Sequence, residues 1–147
     1  MQVQTIGHDK VNQLRHVRFF KDVHGITEHM RKHAASLRPK FEMILDTFDK
    51  ELKDLGVGSW YSPKGGYFIP YETLEGCAKS VVDKAKKAGV VMTPAGAPFP
   101  YGKDPKDSVI RISPSYPSLE DLTTATQIFV VCVKLASIEK ILGEQQA

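Results

Sequence analysis

Ser108-Val109-Ile110-Arg111-Ile112-Ser113 carries more architectural information than any other six residues of the chain. β-Branched residues dominate it, and apart from the adjacent Val109 and Ile110 it alternates as a half-buried strand does. Successive side chains of a strand point to opposite faces, so Ile110 and Ile112 share one face and Arg111 takes the other. An all-helical reading of the chain fails here. An arginine in such a segment calls for a partner, and its planar fork suits a carboxylate. An exposed sheet face or an internal ion pair accounts for it as well.

Downstream, Ser118 sits where a helix cap belongs, with Glu120 and Asp121 in the first turn, and the helix is expected from 119 to about 142. Ile128 to Val133 is an unbroken apolar run, continued by Leu135, Ala136, Ile138, Ile141 and Leu142. Such a helix is apolar on more than one face and demands more cover than one small sheet provides. Each large side chain left exposed forgoes about 1.5–3 kcal/mol of burial.

Upstream, Thr93-Pro94-Ala95-Gly96-Ala97-Pro98-Phe99-Pro100-Tyr101-Gly102 is a proline-stiffened loop with two aromatics, suited equally to binding and to covering a hydrophobic surface. Val90 to Thr93 reads as a brief strand, and 76–88 as a helix closing at Gly89. Val57 to Tyr61 and Gly66 to Pro70 read as a hairpin about the turn Ser62-Pro63-Lys64-Gly65. From Thr27 to Leu55 the spacing of Phe41, Ile44, Leu45, Phe48, Leu52 and Leu55 is helical, with Pro39 inside and Gly56 as the stop. Ile6, Val11, Leu14, Val17 and Phe20 suggest an earlier amphipathic helix behind the cap-like Asp9, broken at His24-Gly25, with Thr27 as the next cap. The sum is an α+β chain: a small, mostly antiparallel sheet packed by long helices, with 1–55 a helical lead-in and 56–147 the α/β core.

Composition narrows the function classes. A length of 147 residues suits one domain, and 20 basic against 17 acidic side chains leave too small a surplus to argue for nucleic acid or membrane partners. No apolar run is long enough for a transmembrane helix, and the first thirty or so residues lack an apolar signal core, so a cytoplasmic location is expected. Cys77 and Cys132 make neither a disulfide framework nor a zinc site.

His8, His16, His24, His29 and His33 cluster near the start. His29 and His33 have the i, i+4 spacing of metal ligands, but no HExxH pattern and no third ligand accompany them, so surface or capping roles are expected. Lys64-Gly65-Gly66 lacks the GxxxxGK[ST] of a phosphate loop, and a lysine at a hairpin tip is poorly placed for Schiff-base chemistry, which needs burial.

Taken in order, Pro63-Lys64-Gly65-Gly66-Tyr67-Phe68, Ala88-Gly89-Val90 through Pro94-Ala95-Gly96, and Arg111-Ile112-Ser113-Pro114-Ser115-Tyr116-Pro117 resemble one family. They are similar to the C-terminal, small domain of class I/II aminotransferases, fold-type I enzymes that use pyridoxal 5'-phosphate, in the aspartate-aminotransferase-like branch. The resemblance spans essentially the whole chain. It implies that Pro-x-Gly-Gly-x-Phe forms a strand pair and that Arg111 grips the substrate's α-carboxylate. Pro94, Gly96 and Phe99 then belong to a loop shaping the active-site entrance. Here Pro94-Ala95-Gly96-Ala97-Pro98-Phe99 is longer and richer in proline than the family's Pro-Gly-x-x-Phe.

The family's Schiff-base lysine and most cofactor-holding residues lie N-terminal to the matching region, and no lysine here falls on a matching position. The resemblance therefore implies no catalytic, cofactor-binding or metal residue in this chain and no cofactor bound to it alone. The intact enzyme would use pyridoxal phosphate to pass an amino group between an amino acid, aspartate or another dicarboxylic one, and a 2-oxo acid. It would supply a large domain from the same polypeptide and assemble as a homodimer, with neither nucleic acid nor membrane as partner. The alternatives are the effector domain of a winged-helix transcriptional regulator, which shares this fold, and a free-standing module binding a small carboxylate.

Overall fold

The computed structural model describes Gly7 and residues 9–145. Ile6 and His8 lie outside the described residues. The chain divides into two compact units, one up to Arg38 and one from Pro39 onward.

The first unit contains α1 (Lys10–Phe20) and the first part of α2 (Val23–Glu51). Asp9 caps α1, its carboxylate accepting the Asn12 N–H at 3.0 Å. The break between helices falls at Lys21-Asp22, earlier than the expected His24-Gly25, because the Asp22 carboxylate takes the Gly25 N–H at 2.9 Å and caps α2. Thr27 is no cap; it lies inside α2 and its hydroxyl donates back to the Val23 carbonyl at 2.9 Å. Gly25 is there because of space: a Cβ would come within 1.9 Å of the Phe20 carbonyl oxygen.

The second unit holds the core. Ile44, Phe48 and Leu52, spaced by one helical turn, are buried, so the end of the expected lead-in belongs to the core. A 3-10 turn over Lys53–Leu55 follows, and Gly56 closes it in the left-handed conformation at φ 65°. Three antiparallel strands come next in sheet order: β1 (Gly58–Trp60), β2 (Ile69–Thr73) and β3 (Val109–Ile112). The hairpin is real, but its second strand begins at Ile69 rather than Gly66. Ile69, Tyr71 and Thr73 point inward while Pro70 and Glu72 point out, and this alternation sets the register Ile69↔Ile112, Tyr71↔Ile110.

α3 (Ala78–Lys87) buries Ala78, Val81 and Ala85 and ends before Gly89. Val90 to Thr93 forms no strand, since nothing pairs with it. Ser118 caps α4 (Leu119–Gln145) by accepting the Asp121 N–H at 3.1 Å. α4 packs Leu122, Phe129, Val130, Val133 and Ala136 into the core. Phe48 is the hub, its ring 5.5 Å from Trp60, 5.3 Å from Tyr71 and 5.5 Å from Phe129. α4 also leaves Val131, Leu135, Ile138 and Leu142 exposed in a stripe of helical spacing. No helix among the described residues is long and apolar enough to cross a membrane.

Candidate functional site

β3 begins where Asp104 fastens it. The Asp104 carboxylate accepts the N–H groups of Ser108 and Val109, both at 2.8 Å, and of Lys106 at 3.0 Å. Desolvation raises the pKa of this carboxyl, but the backbone donors together outweigh it and hold the value below 3.8. With the start of β3 anchored and both isoleucines buried, Arg111 is turned to the opposite face, across from Pro70. The expected orientation of Arg111 therefore stands.

The Arg111 guanidinium carbon lies 4.4 Å from the centre of the Phe68 ring. Its Nε is buried and has no hydrogen-bond partner, and no carboxylate pairs with it among the described residues. The internal ion pair that would have explained the residue is thus not formed there. Arg111 borders a cavity of about 180 Å³, whose walls include Val90, Met92, Ile112, Ser113 and Phe129. Beyond Ser113, Lys40 donates to the carbonyls of Ser115 and Pro117 and so holds the segment that follows the arginine.

The loop after Thr93 folds back on itself. Gly96, at φ 82°, approaches so closely that a Cβ would stand 2.5 Å from the Gly102 carbonyl oxygen. Phe99 donates its N–H to the Gly96 carbonyl at 2.9 Å. Thr93 lines the cavity, whereas Pro94, Gly96 and Phe99 are not among its walls.

The other sequence candidates stay apart from this site. The Nε2 atoms of His29 and His33 are 2.9 Å apart, a hydrogen bond between rings. His16 bonds through Nδ1 to the Asn12 carbonyl at 2.8 Å. Among the described residues no group of three or more His, Cys, Asp or Glu could hold a metal ion. Cys77 and Cys132 are free and buried, and desolvation pushes both thiols up, away from the reactive thiolate. Lys64 is exposed in the loop between β1 and β2.

Sequence reasoning did not anticipate the parts played by Asp104, Lys40 and Phe68. An aspartate four residues before a serine that opens a strand is a recognisable side-chain-to-backbone turn signal. Phe68 ends the stretch Pro63-Lys64-Gly65-Gly66-Tyr67-Phe68, whose local pattern signals a turn and a strand but no contact with Arg111. Lys40 acts across the tertiary fold and leaves no local trace.

Residues 1–145 match the family described as aspartate amino-transferase. The chain is 44% identical to an aspartate aminotransferase of Corynebacterium glutamicum over 93% of its own length and 32% of that protein. A solved aspartate transaminase of Corynebacterium glutamicum superposes with a TM-score of 0.87, at 43% identity over 94% of this chain and 32% of that one. A helix-turn-helix transcriptional regulator of Bacillus subtilis is 31% identical over 65% of this chain and 19% of its own length. The chain spans about a third of the length of the first two curated relatives it matches.

Proposed function

Because this chain belongs to the aspartate aminotransferase family, we propose that it serves as the small domain of a pyridoxal-phosphate-dependent aminotransferase in which Arg111 binds the substrate's α-carboxylate. The observation that carries this reading is the state of the arginine. Its side chain is on the strand face away from the core, the residue borders a cavity, and no side-chain carboxylate neutralises it among the described residues. Two parallel N–H···O bonds from a guanidinium orient a carboxylate as well as hold it. That fixes which substituent of the α-carbon faces the reacting groups.

Pyridoxal phosphate, which the family implies, needs a lysine amine for its aldehyde and donors for its phosphate. No lysine lines the Arg111 cavity, and Lys64 is exposed. These residues do not fit the cofactor, and its binding is assigned to another part of the parent enzyme. The donor is aspartate or another dicarboxylic amino acid, and the acceptor a 2-oxo acid. The enzyme is a cytoplasmic homodimer, with neither nucleic acid nor membrane as partner. The regulator reading ranks second, because the regulator shares 65% of this chain where the aspartate aminotransferase shares 93%.

The test is Arg111→Lys in the full-length enzyme. A point charge cannot reproduce the fork, so kcat/KM for the amino acid is expected to fall roughly 10- to 100-fold, with KM raised. Unchanged steady-state kinetics would sink the assignment.

A further inference from the structure

We infer that Phe68 is a positioning residue for Arg111, an aromatic platform that aims the guanidinium so that only the edge bearing its two terminal nitrogens meets a ligand. The inference rests on the reading of Arg111 as the carboxylate-binding residue.

Core packing does not account for Phe68. The side chain is 42% exposed, and it belongs neither to the buried cluster nor to the partly buried residues packed against it. Its place in the sheet accounts for it better. Ile69 pairs with Ile112 and faces inward, so Phe68, one residue earlier, lies on the side of Pro70 and Arg111. Pro70 stands directly opposite Arg111, and Phe68 occupies the diagonal position, within reach of a long side chain. The guanidinium carbon rests 4.4 Å from its ring centre, well inside the range of cation–π attraction.

The arginine has little else to hold it. Its Nε is buried without an acceptor, and no carboxylate pairs with its fork among the described residues. The ring lies against the cation, and burial closes the Nε side. The two terminal nitrogens are the donors left for a ligand. A carboxylate is flat and presents two oxygens at matching separation, so it meets them with two parallel bonds. A platform that pre-sets the plane reduces the side-chain freedom lost when the ligand arrives.

The test compares Phe68→Leu, Phe68→Tyr and Arg111→Lys in the holoenzyme that carries this chain. Phe68→Leu removes the ring and is expected to raise KM for the amino acid roughly 3- to 30-fold while kcat at saturation changes by less than about twofold. Phe68→Tyr keeps an aromatic face and is expected to recover most of the affinity, which a purely space-filling role would not require. Should Phe68→Leu fail to fold, Phe68→Met supplies the same ring-free comparison at similar bulk. A wild-type KM in the ring-free variants beside an impaired Arg111→Lys overturns the role of Phe68 and leaves the reading of Arg111 standing. Wild-type kinetics in Arg111→Lys overturn both.

Discussion

The ammonium of Lys40, on α2, donates to the backbone carbonyls of Ser115, at 3.0 Å, and Pro117, joining positions 75 and 77 residues apart. These are the carbonyls of the turn between the arginine strand and α4. One side chain thereby closes a long loop of chain by bonds to main-chain groups.

Lys40→Met keeps the aliphatic stem and removes the donor. Charge-assisted bonds to two carbonyls are replaced by bonds to water, and a loss of about 1–2 kcal/mol is expected. Urea unfolding at neutral pH measures it. An unchanged midpoint would show that the turn holds without Lys40.

Asp104 makes stability depend on acid. Its folded pKa lies below the ordinary 3.8 because backbone N–H donors stabilise the carboxylate more than desolvation opposes it. The contribution is therefore present above about pH 3.8, and it is lost as pH falls through the folded value. Asp104→Asn is expected to lower stability at pH 7 and to flatten the acid limb below about pH 4. Parallel limbs in the two proteins, followed by fluorescence, would contradict this.

Tyr71 is fully buried and its hydroxyl has no hydrogen-bond partner. Desolvation alone pushes its pKa well above the ordinary value of 10.0. Removing an unsatisfied group from a core relieves a desolvation cost, so Tyr71→Phe is expected to equal the parent or exceed it by up to about 1 kcal/mol. A loss of that size in thermal unfolding would reveal a partner for the hydroxyl.

Gly25→Ala tests the junction of α1 and α2. A Cβ there meets the Phe20 carbonyl oxygen at 1.9 Å, so backbone must shift. The rings of Phe19 and Phe20, 5.5 and 5.2 Å from His29, lose their seating. Amide exchange over Lys10–Phe20 is expected to quicken while that of β2 stays as it was. Equal protection of Lys10–Phe20 in both proteins would refute the steric argument.

What could be read in advance follows the range of the forces involved. The side of β3 that Arg111 occupies and the cap supplied by Ser118 depend on residues within a few positions, and both are as the sequence suggested. Gly56 likewise stops its helical stretch where expected. The start of β2 depends on pairing with β3, about 40 residues away, and there the turn chemistry of Gly65-Gly66 misleads by three positions. Val90 to Thr93 has the residues of a strand but no paired neighbour. At the site, the arginine was legible by its incongruity among isoleucines. Its ring partner was not, because a diagonal contact appears only when the strand register is known.

The apolar girth of α4 has a consequence for how that helix is oriented. A helix with hydrophobic side chains all round gains nearly the same burial whichever side it turns inward, so its azimuth about its own axis is weakly determined by apolar contact. Three polar ties break the degeneracy. Lys134 meets Glu51 at 3.0 Å, Glu139 meets Lys84 at 2.8 Å, and Lys140 reaches the Glu75 carbonyl. Surface pairs of this kind contribute about 0–1 kcal/mol each, a poor return for stability yet sufficient to choose between rotations that differ by as little. They act as angular stops that bias which side of α4 meets the core.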